Sequence, residues 1–102
     1  MQEHKVELLP LAWVELEEIA DIHLELVGAK SAQKITDKIL DSLDLLAINP
    51  HMGVVPKQRE LAEQGFRVLI CGNYLCFYKI GIGIIEVYHI VDGRRDYPKL
   101  II

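Results

Sequence analysis

Cysteine is scarce. The 102 residues hold two, Cys71 and Cys76, too few for a secreted disulfide framework and spaced for neither a CxxC redox pair nor a zinc knuckle. Reduced, buried thiols are expected. Seven glycines and four prolines are too few for a collagen-like chain, and no heptad repeat persists. Long apolar runs are missing too: Val68 to Val91 is the most apolar stretch, but Gly72, Asn73, Lys79, Gly81, Gly83, Glu86 and His89 break it into strand-sized pieces. Met1 to Lys5 is polar and Glu7 interrupts the apolar residues after it, so no secretory leader is read and a cytoplasmic location is expected. Positive charge is in short supply, with 11 Lys and Arg against 15 Asp and Glu, a net charge of −4. That balance argues against coating DNA or an anionic membrane through bulk charge. The histidines, His4, His23, His51 and His89, have no i,i+4 pairing, and no phosphate-binding glycine loop opens a helix, so neither a metal nor a cofactor is expected.

The apolar material present suffices for one core. Hydrophobic residues make up 51% of the chain and mean hydropathy is +0.21, which points to a single domain over residues 1–102. Charge is uneven: residues 1–50 carry four lysines against ten acids, whereas residues 51–102 carry seven Lys and Arg against five acids. An anionic partner should meet the second half.

A short strand over Lys5 to Leu9 ends at Pro10, which fits the first turn of a helix. Ala12, Leu16, Ile19, Ala20, His23 and Val27 then recur at helical spacing, and Gly28 supplies a C-terminal cap. A second stripe, Ala32, Ile35, Ile39, Leu43, Leu46 and Ala47, runs to Asn49-Pro50, giving a helical hairpin. Residues 51–65 show no lasting period and read as an irregular loop. Beyond it the period becomes two in Phe66 to Cys71, Tyr74 to Ile80 and Ile84 to Val91, separated by Gly72-Asn73 and Gly81-Ile82-Gly83, which suit tight hairpins. The expectation is an α+β domain of order β-α-α-β-β-β, ending in a three-stranded antiparallel meander. One face of that meander should be solvated or bind something, because a single helical hairpin covers only the other.

The densest polar cluster is Asp92-Gly93-Arg94-Arg95-Asp96-Tyr97-Pro98-Lys99, at a strand exit. Adjacent arginines can clamp a phosphate or carboxylate, and Tyr97 can donate a proton or stack on a base; a solvated exit with local ion pairs is the plainer alternative. Lys57, Arg59 and Arg67 would join Arg94 and Arg95 in one cationic concavity if the sheet folds back on the loop. His89 alternates with Val87 and Val91, which suits a packed core histidine or, within reach of a scissile phosphate, a proton-transfer group. Tyr74, Phe77, Tyr78 and Tyr88 suit core packing or base stacking. Trp13 is expected as a lid on the core.

Leu16-Glu17-Glu18-Ile19, the Leu46 to Gly53 run with Asn49-Pro50-His51-Met52-Gly53, Gly65-Phe66-Arg67, Gly72-Asn73-Tyr74-Leu75-Cys76-Phe77-Tyr78 and Asp92-Gly93-Arg94-Arg95-Asp96-Tyr97 succeed one another in an order that resembles the RelE/ParE superfamily of type II toxin–antitoxin toxins, closest to the ParE-like plasmid-stabilisation branch. The resemblance implies a bacterial toxin neutralised by a cognate antitoxin that docks on the helices and open sheet. It implies one of two mechanisms. RelE-like members are metal-independent, ribosome-dependent mRNA interferases; in that mechanism Arg67 and Arg95 would stabilise the reacting phosphate, and His89 or Tyr97 would transfer the proton. ParE-like members inhibit DNA gyrase without a recognised nuclease constellation; in that mechanism Arg67, Arg94, Arg95, Tyr97 and Lys99 would contact the target. Leu75 stands where the RelE pattern has arginine, the later tyrosine of that pattern falls by count on Ile101, and His89 stands where ParE-like chains often have arginine. The first two departures favour the gyrase reading, with a non-toxic binding module as a third. Self-association of the isolated chain is expected from the open sheet face.

Overall fold

The computed structural model describes residues 3–94, and Arg95, Tyr97 and Lys99 lie outside the described residues. The elements run β1 (Lys5–Leu8), α1 (Pro10–Leu26), α2 (Ala29–Asp44), two 3-10 turns (Leu45–Ala47 and Pro50–Met52), α3 (Arg59–Glu63), β2 (Arg67–Cys71), β3 (Tyr74–Ile80) and β4 (Ile84–Asp92). The sheet order is β1-β4-β3-β2. The antiparallel meander expected from the sequence is present, and β1 adds a fourth strand parallel to β4, with Lys5 opposite Ile84 and Leu8 opposite Val87.

Both ends of α1 and the start of α2 have local causes. Pro10 stands at the start of α1, where an amide proton has no intrahelical partner. At the other end Val27 and Gly28 both donate their N–H to the His23 carbonyl, and Gly28 adopts φ +128°, a conformation that side chains disfavour. The Gly28 carbonyl then accepts from Ala32 N–H, so the chain reverses within two residues and α2 starts at once.

Both faces of the sheet are packed. Leu16 and Ile19 of α1 with Ile39 and Leu43 of α2 meet Cys76, Tyr78, Ile85 and Val87. On the opposite face Leu61 and Phe66 gather with Val68, Phe77 and Val91, and Phe66 meets Tyr88 edge-on at 5.2 Å between ring centres. The Lys79 ammonium sits 4.6 Å from the centre of the Phe66 ring and 5.0 Å from that of Tyr88.

This second cluster corrects two expectations. Residues 51–65 are not wholly irregular, because they contain part of the Pro50–Met52 turn and all of α3, and they cover part of the sheet face expected to lie open. Leu61, fully buried, is the residue of α3 that does so. Trp13 is no lid: it is 45% exposed and lines a groove with Leu8 and Leu40. Cys71 and Cys76 are free and buried, as expected.

Burial pushes the Cys76 thiol up to about 12 from 9.0, with the neighbouring Cys71 adding to the effect, and burial followed by the Asp92 charge raises Tyr74 above 10.0. In both groups the folded state holds the proton more tightly, so their contribution is complete below the unfolded pKa and is lost as pH climbs through the folded one. Chemical denaturation is expected to show stability falling from about pH 9 toward pH 12, with Cys76 contributing up to roughly 1.4 kcal/mol per pH unit and the more solvated Tyr74 less. Cys76→Ala should flatten that limb by one proton, and an unchanged slope would contradict the assignment.

Candidate functional site

The Asn49 to Gly53 segment, part of the pattern that carried the family resemblance, is held by two side chains of the sheet. Tyr78, fully buried on β3, donates its hydroxyl to the Pro50 carbonyl at 2.7 Å and accepts the Gly53 N–H at 3.1 Å. Arg67, the first residue of β2, donates from Nη2 to the Gly53 carbonyl at 2.6 Å and the His51 carbonyl at 3.3 Å. The Val54–Val68 bridge continues the attachment with N–H to carbonyl bonds of 2.8 Å in both directions. Gly53 is required by space, since a Cβ there would lie 2.6 Å from the Tyr78 hydroxyl and 2.7 Å from the Val68 carbonyl. Arg67 is thus committed to the backbone of a loop.

The strand exit lies elsewhere. Arg67 pairs with Tyr78 in register, whereas Asp92 pairs with Tyr74, four positions along β3. That separation is roughly 13 Å along the strands, and β3 stands between β2 and β4. The single cationic concavity does not form between Arg67 and Arg94. Arg94 instead wraps back on Asp92, donating from its backbone N–H at 2.9 Å, from Nε at 3.0 Å and from Nη2 at 2.6 Å. This hydrogen bonding, then the Asp92 charge, raises the guanidinium pKa. The side chain remains 70% exposed, so Arg94 is an oriented surface cation.

His89 is neither a simple core residue nor an open base. A bulge in the β3–β4 register at Phe77 and Tyr78 accompanies its turn toward α1, where Nδ1 lies 3.2 Å from Oε1 of Glu15. The same oxygen accepts the Ile90 N–H at 3.1 Å. Because β1 ends at Leu8 opposite Val87, the next part of β4 has no strand on that side, and Glu15 supplies an acceptor a fifth strand residue would have offered. No sequence pattern gave Glu15 a role. Its position four residues before the buried Ile19 and one before the buried Leu16 marked it as a flank residue, but its partner is 74 positions away.

A second polar link ties the hairpin to the sheet: His23 on α1 lies 3.0 Å from the Ser31 hydroxyl through Nδ1 and 3.0 Å from the Tyr74 hydroxyl through Nε2. Between the two links runs a cleft of about 230 Å³, lined by Glu15, Glu18, Ile19, Ile22, Tyr74, Ile90, Val91 and Asp92. It is acidic and apolar, not cationic. Among the described residues, no group of three His, Cys, Asp or Glu side chains gathers to hold a metal, and no helix is long and apolar enough to cross a membrane.

The fold and its fixtures define a small α+β domain in which a helical hairpin braces a mixed sheet whose last strand exits into arginine. Residues 6–97 match the family model described as the ParE toxin of the type II toxin-antitoxin system parDE, and the chain belongs to that family. A solved structure of the chromosomal ParDE toxin–antitoxin system from P. aeruginosa superposes with a TM-score of 0.75 at 18% identity, over 88% of this chain and 96% of that one, which establishes the shared fold. Comparison with curated proteins yields no match.

Gly53→Ala is expected to cost roughly 1–3 kcal/mol by forcing Tyr78 or the β2 backbone aside, and Tyr78→Phe a similar amount by leaving Gly53 N–H and Pro50 carbonyl without their partner. Urea unfolding would measure both; wild-type midpoints would remove the clamp. Glu15→Ala should speed amide exchange at Ile90 selectively, while Glu15→Gln, which keeps an oxygen acceptor, should restore most of the protection. Equal protection in all three proteins would dismiss Glu15 as the edge acceptor.

Proposed function

We propose that this ParE-family toxin acts in the cytoplasm by binding and inhibiting DNA gyrase and is neutralised by a cognate antitoxin. Arg94, with Arg95, Tyr97 and Lys99 beyond it, forms the target-binding end of the chain. The observation that carries this reading is the β4 exit, where Asp92 fixes the exposed Arg94 guanidinium in one orientation. A guanidinium so held loses less side-chain freedom on meeting a carboxylate or phosphate of the target, so more of the interaction energy appears as affinity.

The interferase reading draws less support. It calls on Arg67 with Arg95 at one scissile phosphate and on His89 or Tyr97 for the proton, and of these Arg67 donates to the Gly53 carbonyl and His89 is drawn to Glu15 on α1, while Arg95 and Tyr97 lie outside the described residues. Bond making and breaking at phosphorus requires the charge-stabilising and proton-transfer groups within hydrogen-bond reach of the same atoms. Arg67 is better read as a scaffold residue whose loss unfolds the Pro50 to Gly53 loop.

Expression of the Arg94→Ala/Arg95→Ala double variant tests the proposal. Growth arrest and inhibition of gyrase supercoiling should both be lost, with the thermal midpoint and antitoxin binding unchanged, because the hydrogen bonds of the Arg94 side chain go to Asp92 at the surface and not to the core. Arrest by the stable double variant at wild-type strength would reject the assignment, and codon-phased mRNA breaks with normal supercoiling would replace it with the interferase mechanism.

A further inference from the structure

The outward side of α1 is arranged against its own stability. Between Pro10 and Leu26 the helix has neither lysine nor arginine, and this side carries Glu17, Glu18, Asp21 and Glu25, while Glu15 turns to β4. Glu17, Asp21 and Glu25 stand four residues apart, so like charges repel along one ridge, and Glu25 lies in the last turn, against the negative end of the helix dipole. Among the described residues none of these three, nor Glu18, forms an ion pair. Large apolar side chains are interleaved with them: Leu11 is 52% exposed, Val14 47%, Ile22 54% and Leu26 79%. Beside the ridge, Glu18 and Ile22 line the cleft between α1 and β4, where the buried Ile19 and Ile90 give an apolar floor and Glu18 and Asp92 an acidic rim.

We propose that this face docks a cationic, amphipathic segment of the neutralising partner, with lysines or arginines along the Glu17, Asp21 and Glu25 ridge and a bulky apolar side chain in the cleft. The proposal rests on the reading of the chain as one half of a toxin–antitoxin pair, and it adds the charge and polarity of the segment that covers α1. Charge selects the occupant. A second copy of the same face would set acid against acid, and anionic lipid or nucleic acid would be repelled. A neutral apolar segment would bury the leucines and isoleucine but leave the carboxylates desolvated and unpaired. A cationic amphipathic segment relieves both the repulsion and the exposure, so residues that weaken the free chain strengthen the complex.

The test titrates the isotope-labelled full chain with three synthetic helical peptides: an amphipathic peptide of leucine and lysine, a twin with glutamate for every lysine, and a twin with serine for every leucine. The leucine–lysine peptide should shift backbone amides of α1 and of Tyr88 to Asp92, the glutamate twin should not bind, and the serine twin should bind roughly tenfold more weakly. The Glu17→Gln/Asp21→Asn/Glu25→Gln chain should melt at a higher temperature than wild type yet bind the leucine–lysine peptide about tenfold more weakly, and Ile22→Ser should weaken binding to a similar degree. Equal binding by either twin, shifts confined to other elements, or full affinity in the triple variant would overturn the proposal. The titration uses neither growth arrest nor gyrase, so a chain that binds the peptide but spares gyrase fails the proposed function alone, and one that inhibits gyrase but ignores the peptide fails this inference alone.

Discussion

A four-residue β1 lies beside a nine-residue β4, and that mismatch governs the rest of the structure. Parallel pairing ends at Leu8 and Val87, because the chain must leave the sheet at Leu9 and Pro10 to begin α1. From there β4 has backbone donors on a side where no strand runs, and a buried N–H without an acceptor costs about as much as a lost hydrogen bond. Glu15 meets the Ile90 N–H and in the same stroke draws His89 toward the helix. The side chain that closes the sheet edge also fixes how far α1 stands from β4, and so creates the cleft beside it.

Several residues of the segments on which the family resemblance was read hold the scaffold together. Gly53 is glycine because Tyr78 and Val68 stand within 3 Å of where a Cβ would be, and Arg67 is arginine because two loop carbonyls need a donor. This changes how Arg67 is read. Its charge, suggestive beside a strand of apolar residues, serves backbone groups that would otherwise lie near the sheet without partners. Arg94 has no such duty. Among the described residues its guanidinium hydrogen-bonds to the carboxylate two residues before it, which leaves it exposed at the end of β4.

Much of this architecture was legible in the residues. The i,i+4 stripes gave both long helices, Pro10 and Gly28 marked the start of α1 and the turn between them, and the period of two gave β2, β3 and β4 to within a residue, whereas α2 stops at Asp44 and a 3-10 turn over Leu45–Ala47 leads toward the end expected at Asn49-Pro50. The features that escaped lacked a local signal. The helix α3 has five residues, too short for an amphipathic repeat, and is recognised only through Leu61 beneath the sheet. The parallel partner of β1 lies at Ile84, so no turn residue announces it. The Glu15–His89 contact joins an acid on the flank of α1 to a histidine that strand alternation leaves as either a core residue or a proton-transfer group, and only the end of β1 makes the pair necessary. The arginine cluster was legible as composition and not as geometry, because register alone decides that Arg67 and Arg94 stand apart.

The uneven charge of the chain takes on a spatial meaning at Asp92. Its carboxylate holds Arg94 at the cationic exit and also lines the acidic cleft against α1, so the two surfaces share one residue. Under the proposals made for each surface, a partner that seats an apolar side chain in the cleft and its cations along α1 brings positive charge toward the acidic rim of Glu18 and Asp92, where the Asp92 carboxylate is already engaged by Arg94. Repulsion between those cations and Arg94 makes the coupling between the sites unfavourable: occupancy of the α1 face loosens Arg94 from the group that orients it, and an Arg94 held in place by a target lowers the affinity of that face for a cationic partner. Linkage requires this effect to be reciprocal and equal in free energy. On these two proposals neutralisation needs no steric overlap between antitoxin and target, because a partner that covers α1 would act on the strand exit through the carboxylate that both surfaces share.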